Sequence, residues 1–400
     1  MKPHPVRVEA ARPLTTAQEI ALLEAVVAAR PDAGAMAAKL ASLLIVADRF
    51  DEALVLLEGP QAAPANFYTA MLRFQAHISI EDAAHDEAAC VAAEDAFALA
   101  EDDIARAEAL ADLGKAQHRL GRTVEATRNW LAALALDPHD KNASKRIAAT
   151  MLERGEAAEL VDLTGRLMAQ GAGHSRLLAA RALALSQMGD QVGAREVGGL
   201  DRFWFQSQIE APAGWDSLEA FNAALAEEVT NHPALRYDRY GTASSETWRV
   251  DEPLTGNPPA IAALQIALAA AVDTFIADIG DSDHPWARAK PEQCKLHSWC
   301  VITDGIGHET WHVHQFGWLS GVYYVAVPER VRIGNSEAGC IAFGIDDALV
   351  GADHAADYGE RLLRPEPGML IAFPSHTYHR TFAHHVEEKR IAIAFDIRPD

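Results

Sequence analysis

Residues 308–328 read HETWHVHQFGWLSGVYYVAVP, and residues 365–379 read PEPGMLIAFPSHTYH. These two stretches decide how the last third of the chain is to be folded. In the first, His312 and His314 stand two apart in a run that Gly317 and Gly321 then interrupt. Side chains two apart share a face on a strand and diverge on a helix. A strand therefore aims both imidazoles at one point. In the second, His379 lies just past the β-rich run GMLIAFPS, where a neighbouring strand can bring a third imidazole to the same point. The result is a three-ligand face on a divalent metal with coordination positions left open.

Working outward, the chain after Pro291 offers six short strands: LHSWCVIT, HVHQF, LSGVYYVAVP, GCIAFGI, GMLIAFPS and RIAIAFDI. Each is bounded by Gly, Pro or Asp. So many in about 110 residues predict a sandwich or jelly roll, with a β-rich core over about 292–398. Arg390 opens the last strand, eleven residues after His379. Its planar fork suits the distal carboxylate of a dicarboxylic co-substrate. Ten of the seventeen histidines fall between His284 and His385. Of the others in that region, His308 reads as a loop residue near the site entrance. His376 either lines the site or is exposed, and His354, His384 and His385 read as surface residues.

These residues carry a resemblance. The Trp of SWCVITDGIG, then HVHQFGWLSGVYYVAVP, the Gly-Cys-Ile-Ala-Phe strand, PEPGMLIAFPSHTYH and finally RIAIAFD resemble the double-stranded β-helix Fe(II)/2-oxoglutarate dioxygenases. The likeness is to a prolyl-hydroxylase-like bacterial and phage group often found behind tetratricopeptide repeats, and it spans about 205–400. It implies Fe(II), 2-oxoglutarate and O2 as metal, co-substrate and oxidant. It places His312, His314 and His379 as metal ligands, Arg390 as the 2-oxoglutarate clamp and Tyr324 beside the co-substrate. The implied reaction hydroxylates a peptide, protein or small molecule while 2-oxoglutarate is decarboxylated to succinate. Two departures stand out. The wider superfamily uses His-x-Asp where this chain has His-x-His, which leaves the site one negative charge short. The family's closing Asn is Asp396 here.

Other readings compete. His308-Glu309-Thr310-Trp311-His312 matches HExxH, the zinc-protease signature, which works only on a helix. A metal-free β-sandwich with packed histidines is the bland alternative. A repeat-based adaptor with a degenerate, non-catalytic barrel is another.

The first half is Ala- and Leu-rich with few β-branched runs and reads as helices. Gly121, Gly155 and Gly189 recur every 34 residues, as do Ala126, Leu160 and Ala194. That is the period of a helix–turn–helix solenoid. The copy ALADLGKAQHRLGRTVEATRNWLAALALDP resembles a tetratricopeptide repeat through Leu113-Gly114, Gly121, Ala126, Trp130, Ala133 and Pro138, although an irregular helical bundle would share much of this texture. The expected architecture is a helical solenoid over 1–200 and an oxygenase-like jelly roll over 203–400, with supporting helices at about 216–230 and 258–279. A net charge of −22 argues against nucleic acid and anionic membranes as partners. The solenoid suggests a peptide or protein partner or a homodimer. The N-terminus lacks a signal-like apolar run, so a cytoplasmic location is expected. Cys90, Cys294, Cys300 and Cys340 have no CxxC spacing and read as free, buried thiols.

Overall fold

Ala- and Leu-rich runs with polar caps fold as helices in the first half of the chain. The computed structural model describes residues 5–30, 32–59, 62–237 and 241–400. The helices are α1 (Thr16–Ala29), α2 (Gly34–Val46), α3 (Phe50–Glu58), α4 (Phe67–Ile80), α5 (Ala83–Leu99), α6 (Asp103–Arg119), α7 (Thr123–Leu136), α8 (Lys141–Glu153), α9 (Ala157–Ala169), α10 (Ser175–Gln187) and α11 (Gln191–Gly198). Side chains of Thr15, Asn66, Asp82, Asp102 and Asp140 accept a backbone N–H from the first turn of the helix that each precedes. The 34-residue glycines have a common cause. Gly121, Gly155 and Gly189 follow α6, α8 and α10 with φ of 75°, 71° and 84°, a left-handed turn that a Cβ would strain. Gly114 explains the tight helix pairing. A Cβ there would meet Trp130 Nε1 at 2.5 Å, and the fully buried Trp130 donates that N–H to Ala111 O at 3.1 Å.

Two compact units are present. One comprises Leu14–Arg154 with Gly165–Ala172; the other comprises Met1–Pro13, Gly155–Thr164 and Gly173–Asp400. The β-rich unit thus includes α10 and α11, and the 200–203 boundary expected from the sequence falls inside it. Within this unit Arg176 donates to Gln315 Oε1 at 2.8 Å. Val197 and Gly198 carbonyls accept from His376 Nε2 and Thr377 Oγ1 at 2.8 and 3.3 Å.

The strands are β1 (Arg7–Val8), β2 (Phe205–Gln208), β3 (Arg236–Tyr237), β4 (Ser244–Val250), β5 (Cys294–Glu309), β6 (Leu319–Ala326), β7 (Ile341–Gly344), β8 (Arg361–Leu363), β9 (Met369–Pro374), β10 (Tyr378–Thr381) and β11 (Arg390–Pro399). One sheet runs β2-β9-β6-β11-β5-β4-β3, with β1 joining β5 in parallel; the other runs β10-β7-β8. Tyr324, Ile371, Phe373 and Ala392 of the large sheet meet Ile341 and Phe343 of the small one in a shared core. Phe343 and Phe373 pack edge to face at 4.8 Å. This is a double-stranded β-helix, or jelly roll.

Two helices support the back of the large sheet, α12 (Leu218–Thr230) and α13 (Pro259–Ile279). Tyr323 donates to Asn222 Oδ1 at 2.6 Å and Gln265 to Ser298 Oγ at 2.7 Å, which ties each helix to a strand. The Glu228 carboxylate accepts from the first free N–H groups of α13, on Ala260 and Ile261, at 2.9 and 2.8 Å. By length and composition α13 would cross a bilayer, but here its buried face, Ile261, Leu264, Leu268 and Val272, belongs to the core. All four cysteines are buried and free.

The helices expected at 216–230 and 258–279 are present, and five of the six expected strands form. The segment HVHQF does not. It is extended chain with one isolated bridge, His312 to His379, because Gly317 and the turn before it break the ladder. His312 and His314 still share a side, since extended backbone alone gives that alternation.

Candidate metal centre

His312 and His379 exchange both backbone hydrogen bonds, at 3.0 and 3.1 Å, which fixes one ligand segment against β10. The second ligand segment is held by His314 N–H donating to Ser375 O at 3.0 Å. The three rings come together: His312 and His379 centroids lie 4.1 Å apart, His314 and His379 4.9 Å, and His312 and His314 5.3 Å. One ring nitrogen from each lies within 4.8 Å of the others, the one such His/Cys/Asp/Glu group found among the described residues. All three imidazoles that the sequence singled out are therefore brought to one place.

Their second nitrogens are all engaged. His312 Nδ1 donates to Thr310 O at 2.8 Å and His379 Nδ1 to Thr377 O at 3.0 Å. His314 Nδ1 donates to Asp396 Oδ1 at 2.6 Å. These acceptors carry no proton, so each Nδ1 must, and each Nε2 is left with its lone pair. That is the tautomer a divalent metal requires, with the ring orientation locked from behind. Burial holds the His312 and His379 imidazoles below their usual pKa, and for His379 the other two rings add to this. Neutral, converging Nε2 donors fit a ferrous ion.

Asp396 is almost fully buried. Ser320 Oγ donates to its Oδ1 at 2.8 Å, and Arg398 Nη2 reaches its Oδ2 at 3.1 Å. Burial alone would raise its pKa, but His314 and Arg398 hold it at about 2. In the sequence Asp396 stands out only as a departure from the family, and nothing there reveals this role.

Deeper in the barrel, Arg390, Ala392, Ala394 and Asp396 share the inner face of β11. Tyr324 is directly opposite Ala392 and Thr303 opposite Arg390, so both line that face. Arg390 is 3% exposed and donates to Gly339 O at 3.0 Å, with no carboxylate within 4 Å among the described residues. A buried guanidinium without an anionic partner is a ready site for a carboxylate. On the adjoining strands, Thr303 Oγ1, opposite Arg390, Thr247 Oγ1, opposite Thr303, and Trp299 Nε1 are buried with no hydrogen-bond partner. Trp299 also stands 5.3 Å from the His314 ring, with the Arg249 guanidinium 5.0 Å over its own. Burial would raise the pKa of Glu309, but the guanidinium charges of Arg249 and Arg390 help to hold it low. Thr247, Arg249 and Thr303 do not announce themselves in the sequence as site residues, whereas Trp299 entered only through the family resemblance and Glu309 only through the HExxH match. The one signal of Thr247, Arg249 and Thr303 is the alternation in SSETWRV and SWCVIT, which marks a face but not what it faces.

Several expectations are corrected. His308 is not in a loop: it ends β5 with Glu309, so HExxH lies on a strand and a turn, never a helix. His384 is not at the surface but buried, its Nε2 on Thr303 O at 3.1 Å. His376 neither lines the site nor is exposed. It is buried, donates from Nε2 to Val197 O, and is pushed down to about 3 by burial.

Residues 297–396 match the family model described as "Putative 2OG-Fe(II) oxygenase". No curated protein matches the chain. Among solved structures, a Pseudomonas putida prolyl-4-hydroxylase is similar at 15% identity and a TM-score of 0.35, covering 50% of this chain and 96% of that one. A Trichoplax adhaerens prolyl hydroxylase in complex with a hypoxia inducible factor peptide gives 12%, 0.33, 55% and 90% for the same measures. HygX from Streptomyces hygroscopicus, with nickel, 2-oxoglutarate and hygromycin B bound, gives 13%, 0.34, 51% and 86%. Three converging imidazoles and the matched segment together make the C-terminal jelly roll a domain that resembles the 2OG-Fe(II) oxygenases, a family that uses Fe(II), 2-oxoglutarate and O2.

Proposed function

We propose that this chain is a non-haem Fe(II)- and 2-oxoglutarate-dependent oxygenase that hydroxylates a peptide, protein or small molecule. The observation that carries the reading is the set of three converging imidazoles, His379 buried and His312 and His314 partly so, each with Nδ1 tied and Nε2 turned to a common point. His312, His314 and His379 would hold the metal. With 2-oxoglutarate and O2, iron supplies oxidative decarboxylation of the co-substrate to succinate coupled to hydroxylation. The chain's own part is placement. Arg390 would take the distal carboxylate in its free fork, with Tyr324 and Thr303 on the same face. Phe343, Ile371 and Phe373 keep water from the space between. The helical repeats offer a surface for an extended partner, which favours a peptide or protein as the substrate.

The experiment is an anaerobic titration of the full chain with Fe(II), then with 2-oxoglutarate. One metal per chain and saturable 2-oxoglutarate binding are expected, both lost in His312→Ala. A wild type that binds neither would leave the repeats as an adaptor beside an inert barrel.

A further inference from the structure

The His-x-His pair gives the metal three neutral ligands, where the resembled superfamily has a carboxylate at the second position. The structure places a carboxylate one bond network further out. His312 and His379 rest on peptide carbonyls, whereas His314, at that second position, rests on Asp396 at 2.6 Å. The setting of Asp396 is built rather than incidental. Ser320 Oγ holds the same oxygen at 2.8 Å and is itself 2.6 Å from Ser375 Oγ. Gly317 keeps the space clear, since a Cβ there would stand 3.0 Å from Asp396 Cγ and 2.4 Å from Ser375 Oγ. Among the described residues no other Nδ1 of the triad faces a charge.

We propose that Asp396 is a positioning residue that returns to the metal centre, through the imidazole of His314, the negative charge that a His-x-Asp carboxylate would have supplied. An anionic acceptor on Nδ1–H makes Nε2 a stronger donor to the metal, and such outer partners change metal affinity by roughly 10–100-fold. The closing Asn of the resembled family could accept the same hydrogen bond but would not carry the charge. Orientation and charge are therefore separable at this residue. The inference rests on the proposed metal role of the three histidines.

The test uses the full-length chain and anaerobic Mn(II) and Co(II) titrations, with the Co(II) absorption spectrum as a second readout. Asp396→Asn keeps the shape and should weaken both metals by roughly 10–100-fold, with the Co(II) bands shifting. Arg398→Gln removes the cation that competes for Asp396 and should tighten metal binding, or at least not weaken it. Only Asp396→Asn is expected to weaken binding, whereas a purely structural Asp396–Arg398 pair would weaken binding in both variants. If wild type binds metal and Asp396→Asn stays within threefold of it, the inference is overturned and the oxygenase reading stands. If Asp396→Asn does not fold, weakened binding in Arg398→Gln alone overturns it. A wild type that takes up no metal overturns the reading of the site itself.

Discussion

Arg390 is a buried charge whose fork is largely unspent, and its removal makes a sharp prediction. Arg390→Ala should leave metal affinity nearly intact and weaken 2-oxoglutarate strongly. Deleting one partner of a charge-assisted pair in a buried site costs about 2–5 kcal/mol, or roughly thirty-fold to several thousand-fold in affinity. Arg390→Lys should recover only part, because an ammonium keeps the charge but not the fork. Titration of 2-oxoglutarate into the Mn(II)-loaded variants measures both, and a shift under about threefold for the alanine variant would reject Arg390 as the clamp. Single residues are legible where a spacing rule applies. His312, His314, His379 and Arg390 announce themselves because strand alternation and strand order constrain them. Asp396 does not, because its partner lies 82 residues away and a lone aspartate at a strand end has no local signature. His384 misleads for the converse reason. A histidine beside a second histidine and two glutamates looks solvated, and only the fold reveals that it packs on Thr303.

Among the elements, the glycine that spaces α6 from α7 sets two general rules against each other. By helix propensity, Gly114→Ala should gain about 1 kcal/mol. By packing, a Cβ 2.5 Å from the fully buried Trp130 indole forces a shift, and overpacking a filled core costs about 1–3 kcal/mol. Packing should win, and a lower denaturant midpoint at unchanged slope would show it; a raised midpoint would mean that the pair opens easily. The same balance explains which elements can be read. Helices α6, α7, α12 and α13 and the core strands β5, β6, β7, β9 and β11 bury enough apolar surface to impose a period on the sequence. Strands β2, β3 and β4 do not stand out. They are short or polar on one face, and the sequence around them is crowded with turn residues. The HVHQF segment alternates as a strand does but finds a partner only at His312.

At the scale of the whole chain, the helical first half and the β-rich last third are legible from texture, while the limit between compact units is not. Texture changes near residue 200, yet α11 holds the backbone carbonyls that anchor His376 and Thr377, next to His379, and Arg176 of α10 donates to Gln315, next to His314. A repeat period continues along the sequence regardless of which core its helices join. A fragment from 173 to 400 should therefore be soluble and bind metal, and one from 203 to 400 should do so poorly or not at all. Expression and Mn(II) titration of both decide this; equal behaviour would show that α10 and α11 are dispensable to the site. The hydrogen bond from His314 to Asp396 also has a consequence in time. Translation at about 5–20 residues per second separates the 82 residues between them by roughly 4–16 s. Through that interval the His-x-His pair has been made but lacks its anionic brace, and for most of it the third imidazole, His379, has not been made either. A metal that needs all three imidazoles would thus meet its full ligand set only after every strand but β11 has been made.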